Sequence, residues 1–481
     1  MPTREIRIGE CVMDQPEKFL YGYRGPWPSQ CAVTPESAPP VAVLLPDAEM
    51  QTYRRRVLRR FLRQRWTGRP SAWLHAFRHS SLDPVSDEQF TQALTDSAFS
   101  RMLNPTLDSV DEQTFADELR QMGDSEPYKV DLTAMGEIAT LPGVYCSPSV
   151  TLLARDRDGR FHPSAISLPG IVLRPVDGEA WELAKYFVLQ GASHHIIAVI
   201  HPRLHFPLNP ANALAKTILP KDHVLLNLLL PHLEVQLGLE SGVLFTSRSV
   251  LHNRQDELYA PFCCEGAGNF TLVNRGYYGI PGNSSYPAYR YENGVGTIHS
   301  GYGVFLDRYY QTILGYCRNV VSRIAPDDRY VRQWASHCAT FIPGFPDQNA
   351  IADPETLAAA AATIICTNSI CHTSDHHFYA GPSINQIPLR LRVAPPTSRS
   401  IPKLNRGRLV HREDLARQYL ANEMFFRPTV LTKMTEAKYN FPDAELRQMS
   451  RKFHDDLRAT ERDMPVRRYV PLDAMASSIQ F

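Results

Sequence analysis

The 481-residue sequence predicts a mainly α protein, one large helical body with a small β element. Three observations carry that reading. Segments 181–200, 223–239, 304–324, 354–371 and 412–422 place apolar residues at helical spacing. Segment 145–173 has short apolar runs on either side of the turn Asp158-Gly159 and reads as a hairpin. The 38 prolines interrupt helices often, so long connections are expected between them.

Taken in order, residues 1–45 are Pro-rich without a sustained period and read as an extended arm. A helix is expected over 48–66, with Val57, Leu58, Phe61, Leu62 and Trp66 on one face. Eight arginines between 54 and 69 make this the one strongly basic segment. It reads either as a peripheral contact with an anionic membrane surface or, as is commoner, as a surface helix docked by its apolar stripe. Ser86-Asp87-Glu88-Gln89 is a capping box that opens the next helix, and a short helix follows near 111–122. Residues 263–300, rich in Gly, Tyr and Asn, read as a long loop.

Composition narrows the function. Fifty-one basic and 50 acidic residues leave a net charge of +1, so no global field exists to hold a phosphate backbone, and nucleic acid is not expected as a partner. Nine cysteines without a CxxC pair suggest reduced thiols. The N-terminus lacks the apolar core of a signal peptide, and no window is long and apolar enough for a membrane span. A soluble, cytoplasmic protein is expected.

Among 17 histidines, His201 and His205 are four apart, as are His372 and His376, all in segments rich in Ile, Ala and Val. Residues at i and i+4 share one helix face, so each pair can offer two imidazoles to one ion. The pattern reads either as a metal held between packed helices or as core histidines satisfied by hydrogen bonds. Four imidazoles without thiolates suit Zn, Fe, Mn or Cu. Neither pair carries the glutamate of an HExxH zinc hydrolase, and Asp375, between His372 and His376, does not complete such a pattern.

The segment WELAKYFVLQGASHH (181–195) resembles the corresponding helix of the lipoxygenase catalytic domain. His223 and His232, 18 and 27 residues after His205, keep that family's intervals, with Val224 where its HP pair has proline. ASHCATFIPGFP (335–346), LAAAAATIICTNSICHTSDH (357–376), SDEQF with MLNP, YCSPSVTLL with GRFHPSAISL, and the tail SSIQF extend the resemblance over 86–481. It implies two units, an arm with a basic helix over 1–85 and a catalytic domain over 86–481, without the N-terminal β-barrel that often precedes it. It also implies a non-haem iron, with manganese as the alternative, held by His201, His205, His372, His376 and the terminal carboxylate of Phe481. The reaction implied is hydrogen abstraction from a polyunsaturated, fatty-acid-like substrate and insertion of O2 to give a hydroperoxide. The partners are thus an unsaturated lipid-like molecule and O2.

The sequence departs from the family at several points. Its first histidine pair is one residue closer, and Pro202 follows His201 directly. A proline kink is therefore expected to replace the π-bulge that aims the first ligand. Ile196 and Tyr379 stand where the family has glutamines linking cavity and ligand shell, and with Asp375 they are expected around the ligands or in the substrate pocket. Segment 238–251 lacks the family's Ala-Arg pair, so its oxygen-positioning small residue is not transferred. These departures favour, as the alternative, an oxygenase of the same fold that hydroxylates, isomerises or oxygenates a non-fatty-acid metabolite. A metal-stabilised binding protein without catalysis is the third reading.

Overall fold

The computed structural model describes residues 41–481 except 292–298 and 380–386, and within the first 40 residues the strands Arg4–Ile8, Cys11–Gln15 and Gly22–Tyr23. The first two strands pair as a hairpin and the third pairs with Ala42–Leu44, where the sequence suggested only an extended arm. One hydrophobic core runs from Val41 to Met475, crossing position 85 without a break through Ala72, Ala76, Leu82 and Val85.

The β element is larger than the expected hairpin. Strands Leu103–Asn104, Glu126–Asp131, Val150–Arg155, Phe161–Leu168 and Ile171–Leu173 form a five-stranded antiparallel meander in sequence order. Glu126–Asp131 lacks clean alternation (EPYKVD) because Lys129 is buried and paired with Asp111, which hides the strand period. The predicted capping box is present: Gln89 N–H donates to Ser86 Oγ (3.1 Å) and Ser86 N–H to Gln89 Oε1 (3.0 Å).

The basic helix is longer than predicted. It runs Asp47–Tyr53, through a π turn at Arg54–Leu58, and on as Arg59–Arg78, with Pro70 on its exposed side. Its apolar residues divide between two faces. Val57 is buried and Phe61 packs on Phe425 (5.1 Å between rings), whereas Leu62 and Trp66 point outward, contrary to the single face read from the sequence. The inward face is completed by Gly68, Ala72 and Ala76, small enough to let the helix settle against Leu420.

The segment read as a long loop contains the helix Gly266–Tyr278. Its glycines are there for close approach: a Cβ on Gly276 would stand 2.3 Å from the carbonyl oxygen of Val199, and one on Gly266 2.7 Å from that of His252. Composition alone resembles a loop, while the contacts require glycine in a helix.

Two long helices cross the core. The first is Glu179–His195, continued by a π turn at Ile196–Ile200 and a short helix Pro202–His205. The second is Pro354–Cys366, a π turn at Thr367–Cys371, and His372–Tyr379. The expected replacement of the π-bulge by a proline kink is not found: His201 N–H donates to Ile196 O (2.8 Å), a π-type bond directly before Pro202. A wider turn fits the proline, which has no N–H to give and whose ring would crowd the carbonyl of an α turn.

Gly276→Ala should drive the helix off Val199 and disturb the π turn that carries His201. The expected loss is about 1–3 kcal/mol of stability, read as a lower Tm.

Candidate metal centre

His201 and His205 stand at either end of the short helix that follows the first π turn, and His372 opens the helix that follows the second. The turns bring all four histidines to one point. His376 Nε2 is 3.1 Å from His201 Nε2, His201 Nε2 is 2.7 Å from His205 Nε2, and His205 Nε2 is 3.1 Å from His372 Nε2. The four donor atoms all lie within 4.8 Å of one another, and the group could hold a metal ion. With metal–imidazole bonds of about 2.1 Å, nitrogens at right angles sit about 3.0 Å apart and tetrahedral ones about 3.4 Å. The observed edges match the right-angled arrangement.

The site is largely buried, and three of its imidazoles are held neutral. Burial, with the neighbouring imidazoles adding to it, pushes His201 and His372 well below the usual histidine range and His376 down to about 3. Neutral rings keep a lone pair for a metal, and hydrogen bonds decide which nitrogen carries it. His376 Nδ1–H donates to Phe426 O (2.8 Å), and His205 Nδ1 lies 3.3 Å from Glu240 Oε1, so both Nε2 atoms face the centre.

Glu240 is itself buried in a polar network. It accepts from Asn209 Nδ2 and from Gln236 Nε2 (3.0 Å), while Gln236 Oε1 accepts from Asn212 (2.8 Å) and from Asn368 on the second helix (3.1 Å). The sequence reading missed these residues. The signal was Gln236 and Glu240, polar and four apart in the mostly apolar helix Gln236–Phe245.

The remaining expected residues are placed as follows. Phe481 is buried, with its ring centre 5.1 Å from that of His372 and 4.9 Å from that of His376. The tail behind it is fixed: Ala476 N–H donates to Thr373 Oγ1 (3.1 Å), His232 Nδ1–H to Ser477 O (2.7 Å), and the N–H groups of Leu431 and Thr432 to Gln480 Oε1 (2.7 and 3.0 Å). Asp375, expected in the shell or the substrate pocket, faces elsewhere. It accepts from Arg101 Nε (3.0 Å) and Tyr302 O–H (2.6 Å), which locks the second helix to the 3-10 turn Ala98–Met102. Ile196 is buried within the first π turn, and it is Ile197 that reaches the cavity described next. Tyr379 ends its helix; its side chain is outside the described residues.

An apolar cavity opens beside the histidines. Phe61, Ile197, Leu239, Val243, Met424 and Phe426 supply its wall, and His201, His205, His376 and Phe481 its inner end. Every π turn among the described residues (Arg54–Leu58, Ile196–Ile200, Thr367–Cys371 and Asn422–Phe426) supplies a cavity residue or leads into a histidine of the cluster. Such turns aim side chains that a regular helix would place elsewhere.

The tail carries a pH dependence. Burial pushes His232 down to about 4 from an unfolded value near 6.5, so the unfolded chain binds its proton first as pH falls. Its stabilising contribution is complete above about 6.5 and is lost progressively from there towards 4, amounting to about 3 kcal/mol. His232→Gln should flatten stability against pH by about that amount, measured as urea midpoints between pH 7 and 4.5.

No protein-family model matches the chain, and no curated protein matches it in sequence. Solved structures do match. A calcium-dependent 11R-lipoxygenase aligns with a TM-score of 0.64 at 15% identity, covering 82% of this chain and 66% of its own. A lipoxygenase in complex with arachidonate aligns at 0.72 and 14% identity, covering 96% and 79%. A manganese lipoxygenase aligns at 0.68 and 15% identity, covering 92% and 89%. The chain spans just under two thirds of the first of these and more of the other two. No described helix is long and apolar enough to cross a membrane. The chain has the fold of a lipoxygenase catalytic domain, helical with a small antiparallel sheet.

Proposed function

We propose that this protein is a non-haem metal dioxygenase that inserts O2 into a polyunsaturated, fatty-acid-like substrate to give a hydroperoxide. The observation that carries the reading is four imidazoles with their Nε2 atoms at right-angled spacing, three of which, His201, His205 and His376, line the inner end of an apolar cavity. The proposed metal ligands are His201, His205, His372, His376 and the terminal carboxylate of Phe481. An α-carboxylate is ionised at neutral pH and is a hard donor, and with four imidazoles it makes a set suited to iron or manganese. The arachidonate complex and the manganese enzyme among the similar folds support the substrate class and the choice of ions.

A bound iron or manganese ion would supply the one-electron redox chemistry that hydrogen abstraction and O2 insertion require. The chain's own residues do the rest. Burial keeps His201, His372 and His376 unprotonated, Glu240 and the Phe426 carbonyl orient two of the four rings, and the apolar wall takes up a hydrocarbon chain and excludes water from a radical. Ile196 brings no amide to the ligand shell. This favours, as a second reading, an oxygenase of the same fold acting on a non-fatty-acid metabolite.

The test is elemental analysis of protein with a free C-terminus, together with oxygen uptake on linoleate and arachidonate. About one iron or manganese per chain and substrate-dependent uptake are expected; metal without uptake would transfer the case to the second reading. Residues appended after Phe481 should abolish metal retention or turnover. His372→Ala should deplete the metal and His377→Ala should not. Glu240→Ala should weaken metal binding by about 10–100-fold, measured by competition with a chelator.

A further inference from the structure

The helix Arg59–Arg78 has one face that nothing in the described structure covers. Leu62 (50% exposed), Trp66 (61%), Trp73 (38%) and Phe77 (62%) fall within an arc of about 60° on a helical wheel, and they extend over roughly 22 Å of helix. Among the described residues, five of the ten exposed large apolar side chains, Leu74 being the fifth, belong to this one helix. They are not the residues that dock it, since Phe61, Gly68, Ala72 and Ala76 lie about 115° away and face the core.

The helix that presents this face carries charge of a single sign. Residues 54–78 contain nine arginines and no acidic residue. Arg65 and Arg69 pair with Glu257, and Arg56 pairs with Glu234. Arg54, Arg55, Arg59 and Arg63 are exposed and form no ion pair with a described residue. The guanidinium groups of Arg65 and Arg69 lie over the Trp66 ring, at 5.3 and 4.9 Å. Exposed indoles and aliphatic side chains bordered by free arginines form a surface complementary to the boundary between anionic headgroups and acyl chains.

We infer that this face is a docking surface for an anionic lipid bilayer, with Leu62, Trp66, Trp73 and Phe77 entering the interface and the free arginines meeting the headgroups. Leu58, Phe61, Leu62 and Arg65, from the same turns, line the cavity. Leu62 belongs to both surfaces, so the cavity reaches solvent where the bilayer would sit. Docking stands independently of the reaction. Only its use, delivery of a membrane-derived lipid straight into the cavity, rests on the dioxygenase reading.

The experiment is co-sedimentation of the full chain with phosphatidylcholine vesicles with and without phosphatidylserine, beside W66S/W73S and a variant with Gln at Arg54, Arg55, Arg59 and Arg63. Binding to phosphatidylserine vesicles at least tenfold tighter than to neutral ones, weakened by salt, is expected. Both variants should lose at least tenfold while melting as the parent does. Equal binding by parent and W66S/W73S would overturn the proposal, as would no binding by the parent. In the latter case, a dimer that W66S/W73S dissociates would show that a second copy covers the face. A monomer would leave the face without a lipid partner and overturn the proposal equally. Oxygen uptake on free fatty acid is unaffected by these variants if docking alone is lost, which separates failure of this inference from failure of the dioxygenase reading.

Discussion

Four imidazoles linked by Nε2 separations of 2.7–3.1 Å in a largely buried cluster are a costly arrangement unless their nitrogens find a shared partner. The surrounding structure maintains that arrangement. Burial disfavours the protonated forms of His201, His372 and His376, the Phe426 carbonyl takes the Nδ1–H of His376, and the Glu240 carboxylate lies 3.3 Å from Nδ1 of His205, which leaves the opposite nitrogens to converge. One buried charge in this core is compensated in place where Asp375 faces Arg101 and Tyr302. There burial works against the Arg101 charge, but the adjacent carboxylate more than restores it.

Bringing two pairs from separate helices to one point needs helices whose phase can be adjusted. The π turns before His201 and before His372 do this, each adding one residue's rotation ahead of the ligand-type side chains. The first also accommodates Pro202, and it is pressed from outside by the helix Gly266–Tyr278, which approaches closely enough that residue 276 has no room for a Cβ. The second is joined to the polar network through Asn368, whose side chain donates to His232 O (3.2 Å) and Gln236 Oε1. The two histidine helices, Glu240 and the C-terminal tail are therefore parts of one hydrogen-bonded assembly, and a change in any of them is transmitted to the cluster.

The cavity and the basic helix meet in the same few turns. A helix that offers small residues and Phe61 to the core, and indoles and arginines to the outside, couples the inner end of an apolar channel to the surface of the molecule. A substrate poorly soluble in water gains from such a route, because its apolar surface need not pass through bulk solvent between a bilayer and the cavity.

The sequence by itself determined the helical body, the capping box at Ser86, both histidine pairs and an apolar tail fit for burial. Each is a short-range pattern: period, spacing or cap. Only the tertiary structure decided what depends on distant neighbours. Asp375 turned to Arg101, 274 residues away, rather than to the cavity, because a buried carboxylate goes where a cation awaits it. The helix at 266–278 is hidden in a glycine-rich segment because glycine there answers to Val199 and His252 rather than to local propensity. The strand at 126–131 is masked by Lys129, whose partners come from another element. Whether Leu62 and Trp66 faced inward was likewise undecided, since a wheel gives their angle but not which side of the helix the core occupies.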